Sequence, residues 1–487
     1  MAISLILLDY TTPFGLVLRS GCAYGQKMNH FDVVILGAGS AGEAIANSLV
    51  TAGRSVAMIE KLRVGGECAY ISCMPSKAML RSALARNQAK RLVALGGSSQ
   101  AIAINDDTAA FRTAVLRRDL IVHNRSDVAA AARAISGGVA LYRGNGIITA
   151  SDRITIDNDE LGWHDLVIST GTSAAIPKIE GLADVEFWTS DMALSAQQSP
   201  ESVLIVGGGP VGCELSQIFA SFGIKTVLVE FSEQLAGREH PEVAAVLAHN
   251  LMEQGVEVHL NTNVVKVGVG HGGRVMVNLS NGKEVLVERL IIATGRKPNS
   301  EKIGLEHLGI TPSKSGAIEV DELCRVKGQE HVWAAGDITG IAPFTHTANY
   351  QGRIVSSNIL GKKQIANYTA IPRAIYTDPP VASVGTMERA GEATRLISER
   401  FEMKDLPRNF TDGESGGLLI LTADSVSGTL VGAAAIGPHA DEWMVEATLA
   451  IRAQIPLTVL SDVVHAFPTF GEAFEEPIRK LAELIQK

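Results

Sequence analysis

The sequence predicts an α/β protein with two dinucleotide-binding domains and a C-terminal α+β domain. Three observations carry that expectation. A short apolar strand, a glycine turn, a small-residue helix and an acid-ended second strand run from Phe31 to Lys61. The same pattern returns from Ser202 to Phe231. From about Ile371 the texture changes to alternating strands such as GLLILTAD, with helices from about Ala440. The two copies read as Rossmann-like βαβ units, an internal repeat separated by a long stretch of other sequence.

The chain has 487 residues, 46% of them apolar, enough for about three domains with sizeable cores. Lys and Arg number 43 against 52 Asp and Glu, a net charge of −9 that argues against nucleic acid and anionic membranes as partners. No apolar run approaches the ~18 residues of a membrane span. Residues 1–27 lack the basic start and cleavage pattern of a secretory signal. They read as a disordered or over-annotated leader ahead of Met28. Five cysteines (Cys22, Cys68, Cys73, Cys213 and Cys324) are too few for a secreted disulfide scaffold. A cytoplasmic setting is expected, where a disulfide is catalytic rather than structural. No metal site is expected.

In the first unit Gly37 permits the tight turn, Gly39 lets a pyrophosphate approach the backbone, and Gly42 lets helix and strand pack. The helix start offers free N–H groups and a positive dipole end to phosphates. Glu60 ends the second strand, where an acid accepts hydrogen bonds from a ribose diol. The second unit repeats this with Gly207, Gly209, Gly212 and Glu230. An acid there repels a 2′-phosphate, and the next arginine is Arg238, so NAD is preferred over NADP. Gly171 and Gly295 close other strands, and Gly66 precedes the first cysteine of the next motif; all three join the cofactor-binding candidates.

That motif is GGECAYISCMPSK, from Gly65 to Lys77. Cys68 and Cys73 stand five apart, and Pro75 suits the first turn of a helix. Thiols at a helix start are expected to be acidified by its dipole, and one such thiol can attack an external disulfide. The pair is expected to form a disulfide or to sit within bonding range. Cys213, inside the second nucleotide helix, and the isolated Cys324 read as packing residues.

Together the two units, the CxxxxC-x-PSK element, ATGRKPN and AAGD resemble the pyridine nucleotide–disulfide oxidoreductases, from about Met28 to the C-terminus. The resemblance implies FAD in the first unit and NAD in the second. It implies an FAD-binding domain over residues 28–190, resuming at 301–370, an NAD-binding domain over 191–300, and a dimerisation domain over 371–487. Asp337 would hold the flavin ribitol. Lys77 would lie near the flavin and pair with Glu214. Cys73 would be the charge-transfer thiol and Cys68 the interchange thiol. A homodimer would complete each active site.

The chain departs from the family near its end. Members usually carry HxHPTxxE, with the second His as proton shuttle and the Glu orienting it. This chain reads His465-Ala466-Phe467-Pro468-Thr469-Phe470-Gly471-Glu472, so Phe467 occupies the position of the base. His465 and Glu472 remain as candidates. In an extended segment His465 would share a face with Phe467, about 7 Å away. GGEC and Ser72 also differ from the usual GGTC and Gly-Cys. No cysteine follows Cys324, which disfavours mercuric reductase and large thioredoxin reductase. Glu230 disfavours glutathione reductase, and the complete cysteine pair disfavours soluble transhydrogenase.

The favoured reading is NAD-linked exchange with a dithiol or disulfide, like dihydrolipoamide dehydrogenase. An NAD(P)H:quinone or small-electrophile reductase is the alternative, with Phe467 lining an apolar acceptor site. A nucleotide-binding interaction protein without catalysis is the third, disfavoured by intact Cys68, Cys73, Lys77 and Glu214.

Overall fold

In a computed structural model of the protein, the described residues are 28–104, 107–386, 395–413 and 416–486. The expected leader over residues 1–27 lies outside them. The first sheet orders its strands Ala140–Arg143, Val56–Glu60, Asn29–Leu36 and Asp159–Ile168, all parallel, then the antiparallel pair Arg153–Ile156 and Ile147–Ala150. Strand Val332–Ala334 returns after a long excursion to lie parallel to Asp159–Ile168. Val33 to Leu36 are buried on both faces, as a parallel strand sandwiched between layers requires.

The excursion holds the second parallel sheet: Val256–His259, Lys225–Val229, Ser202–Val206, Arg289–Ile292 and Phe187–Thr189. Phe187–Thr189 precedes the expected boundary at 191 but pairs into this sheet, because its register with Leu290–Ile292 outweighs its position in sequence. A three-stranded antiparallel sheet, Val264–Val269, Val275–Leu279 and Glu284–Val287, packs Val267 and Val277 onto Val227 and Leu290.

The C-terminal region is a five-stranded antiparallel sheet ordered Arg373–Ile375, Val381–Gly385, Thr429–Ile436, Leu418–Asp424 and Leu396–Glu402. Leu419, Leu421, Ala433 and Ala435 bury one face against Ala447 and Ile451 of helix Val445–Ala453 and Ile478 and Leu481 of helix Glu475–Gln486. Between domains, helix Cys73–Lys90 lies on helix Pro210–Ser221, with Met79, Leu80 and Ala83 in one core with Leu215, Ile218 and Phe219. That contact brings a side chain from the cysteine helix to the second nucleotide loop. Among the described residues no helix is long and apolar enough to cross a membrane.

Candidate active site

A continuous cleft of about 1960 Å³ runs along both nucleotide loops and past both cysteines. In each loop the first glycine cannot be replaced. Gly37 has φ +106°, and a Cβ there would sit 2.4 Å from the Ser169 carbonyl oxygen; Gly207 has φ +108° and the same conflict, at 2.5 Å, with Ala293. Gly42 and Gly212 pack so closely that a Cβ would fall 2.1 and 1.9 Å from the carbonyls of Gly37 and Gly207. The middle glycines differ: nothing lies within 4 Å of a Cβ on Gly39 or Gly209, which leaves open backbone at the starts of helices Ser40–Thr51 and Pro210–Ser221. Loops of this shape fit two dinucleotides, with pyrophosphates on the helix N-termini. Gly171 and Gly295 line the same cleft.

The strand-end acids act first as latches. Glu60 accepts backbone N–H bonds from Ala38 (2.8 Å) and Leu62 (2.6 Å). Glu230 accepts the equivalent bonds from Gly208 (2.5 Å) and Ser232 (2.9 Å). Each carboxylate ties its glycine loop to the strand end that frames it, and both line the cleft.

The cysteine segment is clamped to the first loop. A Cβ on Gly66 would lie 2.8 Å from the Gly39 Cα. Cys68 sits in the short helix Gly66–Tyr70, and Cys73 is the first residue of helix Cys73–Lys90. The structure holds the two as free thiols within hydrogen-bonding reach of each other. Thr345, at the start of helix Thr345–Ile359, places its hydroxyl 3.1 Å from Cys68 Sγ and 3.5 Å from Cys73 Sγ.

The pair is electrostatically unequal, which corrects the expectation that both thiols are acidified. The hydrogen bond from Cys68, the Thr345 hydroxyl and the Lys77 charge outweigh burial and lower Cys73 to about 6. Cys68 moves the other way, because the hydrogen bond with Cys73, burial and the neighbouring negative sulfur all favour its protonated form. The inequality comes from how the two sulfurs share their mutual hydrogen bond, with Thr345 and Lys77 adding to the side of Cys73. Cys213 is fully buried, its thiol pushed up by burial, and its Sγ lies 3.3 Å from the Gly208 carbonyl. Cys324 is also fully buried and pushed up to about 11 by burial. Both are packing residues, as their sequence context indicated.

Lys77 lies one turn after Cys73. Its Nζ donates to Glu214 Oε2 at 2.9 Å and Oε1 at 3.0 Å, and sits 4.5 Å from the centre of the Tyr376 ring. Glu214 also accepts from the Tyr376 backbone N–H at 3.1 Å. Asp337, after strand Val332–Ala334, accepts from the Thr172 hydroxyl at 2.8 Å. Arg296 joins Thr172 (2.7 Å) to Glu67 of the cysteine segment through an ion pair.

Thr345, Tyr376, Thr172 and Arg296 were not singled out in the sequence. Thr345 lies 277 residues from Cys68, and no spacing rule links a threonine to a thiol at that distance.

The C-terminal candidates are arranged differently from the expectation. His465 and Phe467 do not share a face, because the segment is irregular rather than a strand. The His465 side chain is 9% exposed between two acids, with Nε2 3.0 Å from Glu446 and Nδ1 3.3 Å from Glu475. Phe467 is 74% exposed. Among the described residues Glu472 bonds to no histidine side chain; it accepts from the Thr469 backbone N–H at 2.7 Å in a capping box on helix Phe470–Phe474.

A family model described as pyridine nucleotide-disulphide oxidoreductase matches residues 31–352, and that family's dimerisation domain matches residues 371–478. The chain belongs to the pyridine nucleotide-disulphide oxidoreductase family and is an oxidoreductase. Among its relatives, a dihydrolipoyl dehydrogenase of Chlamydia trachomatis is 29% identical, covering 92% of this chain and 96% of the relative. A mercuric reductase of Streptomyces lividans is 31% identical over the same shares. The structure of the HOCl-induced flavoprotein disulfide reductase RclA from Escherichia coli superposes with a TM-score of 0.81 at 25% identity, covering 92% of this chain and 99% of that one.

Proposed function

We propose that the protein is an FAD-dependent oxidoreductase that moves electrons between NAD(H) and a dithiol or disulfide through Cys68 and Cys73. The observation that carries this reading is the unequal thiol pair: one acidified sulfur at a helix start, hydrogen-bonded to one protonated sulfur. FAD held by the first loop, Glu60 and Asp337 would supply two-electron transfer between a nicotinamide and the cysteine pair. Lys77, fixed by Glu214, keeps a positive charge beside Cys73. Cys68 gives its proton to the neighbouring sulfur and attacks one sulfur of the acceptor disulfide, whose S–S bond breaks; the first acceptor thiolate leaves with the proton from Cys73. Cys73, once deprotonated, attacks Cys68, which closes the internal disulfide and releases the second acceptor thiol. Glu230 on the second loop favours NAD, although Arg238 lines the same cleft, so kcat/KM for NADH against NADPH is the measure. A homodimer is the form this reading expects, supported by the match to a dimerisation domain, and the cytoplasm is the setting it expects.

A second reading rests on the C-terminal segment. With Phe467 in the base position and His465 held between Glu446 and Glu475, a quinone or other small electrophile is an acceptor that needs no thiol base. Anaerobic titration with NADH, followed by turnover with lipoamide, glutathione disulfide and a quinone, separates the two. A long-wavelength thiolate–flavin band with brisk disulfide turnover supports the first. Flavin reduction without that band, with quinone turnover alone, rejects the first in favour of the second.

A further inference from the structure

The end of the first sheet opposite the cleft carries a cluster that the redox chemistry does not use. His164 and Asp165 lie on strand Asp159–Ile168, and His331 immediately precedes strand Val332–Ala334. The parallel register of Leu166 with Val332, and the Leu166 N–H bond to the His331 carbonyl at 2.8 Å, bring His331 beside Asp165. The His164 Nδ1 lies 2.8 Å from Asp165 Oδ2, and the His331 Nδ1 lies 3.4 Å from Oδ1. The three residues offer ligand atoms within 4.8 Å of one another. The geometry points to a site for a divalent transition-metal ion of the zinc class, held by His164, Asp165 and His331.

Two imidazoles and one carboxylate form a donor set that zinc, nickel and copper(II) accept, and that calcium and magnesium, which prefer oxygen, do not. The carboxylate is the fixed member. Asp165 is 7% exposed, and its Oδ1 accepts the indole N–H of Trp333 at 2.8 Å. Such an outer partner orients a ligating group. The imidazole side chains are 65% and 53% exposed, so an ion can reach them and water can complete the coordination. Metal–ligand bonds of about 2.1 Å bring tetrahedral ligand atoms to about 3.4 Å from one another. The widest separation therefore closes by about 1.4 Å, within the reach of two exposed rings turning about their side-chain bonds while Asp165 stays in place. Each ring would bind the ion through the lone pair of one nitrogen, with any proton carried by the other. Nearby Asp32 adds negative charge facing His164, although its own carboxylate is tied to Ser55 at 2.8 Å. The sequence pattern hides this site because the two histidines are 167 positions apart, joined only by strand pairing.

Zinc titrated calorimetrically into the flavin-loaded, full-length protein tests the site. Cys68→Ser and Cys73→Ser are introduced together beforehand, so that the thiol pair cannot compete for the ion. The expected result is one equivalent bound per chain, with affinity falling at least about tenfold in His164→Gln and in His331→Gln, and about 10–100-fold in Trp333→Phe. The two histidine variants should keep the parent melting temperature without metal, because both rings are exposed. Binding that survives both histidine changes, or no saturable binding in the parent, overturns the proposal.

Discussion

The cysteine segment and the C-terminal segment are both built from a handful of consecutive residues, yet they use their polar groups in opposite ways. Around Cys68 and Cys73, the sulfurs and Lys77 are held by groups from elsewhere: Thr345, Glu214 and the first glycine loop. Their chemistry faces the cleft. Around His465, the polar groups pair with one another inside the C-terminal domain. Glu472 caps its own helix, His465 sits between two nearby acids, and the exposed side chain at the expected base position is a phenyl ring. The two segments differ in what holds their side chains: distant stretches of chain for the thiol pair and Lys77, the same domain for His465 and Glu472.

The comparison breaks first at Cys73. Cys73→Ser should lower NADH-driven disulfide turnover about 10³-fold or more, since it removes the acidified sulfur outright. Stopped-flow and steady-state rates check this, and turnover within tenfold of the parent would show that electrons bypass the pair. Phe467→His comes next. It should raise lipoamide turnover by about 10²–10⁴-fold if dithiol exchange is limited by the missing base, with quinone reduction little changed. Brisk lipoamide turnover in the parent that His465→Ala abolishes would instead make His465 the base.

Thr345→Val tests the distant support with a smaller effect. The Cys73 thiolate absorbance should titrate near pH 6 in the parent, and its midpoint should rise by about 1 pH unit in the variant. The sign for stability follows. Cys73 ionises more readily when folded than when unfolded, where a thiol titrates at about 8.5. Its contribution is complete above that value and is lost as pH falls through about 6. The smallest effect belongs to Glu472→Ala, which should cost about 1 kcal/mol in unfolding free energy through the lost cap, with turnover tracking only the folded fraction.

The parts that were legible in the sequence are those whose constraint is local. Gly37, Gly42, Gly207 and Gly212 announce a backbone that tolerates no Cβ, and alternating apolar stretches announce the C-terminal sheet. The cysteine pair was legible as a pair but not as an unequal one, because spacing reports proximity and not how Thr345 and Lys77 bias the hydrogen bond between the two sulfurs. Thr345 and Tyr376 were invisible, since each reaches the site from more than two hundred residues away. His465 was misplaced because the i and i+2 rule holds only in extended chain, and this segment bends.

The two strand-end acids constrain how such a protein can change its diet of nucleotides. Glu230 holds the glycine loop with one oxygen and the chain just past its own strand with the other, and Glu60 does the same in the other unit. Replacing Glu230 to admit a 2′-phosphate would therefore unfasten the loop in the same step. A lineage moving toward NADP has to find a second fastening before it can let go of the first. A preference for the unphosphorylated nucleotide, as proposed here, would thus be protected by architecture as well as by charge.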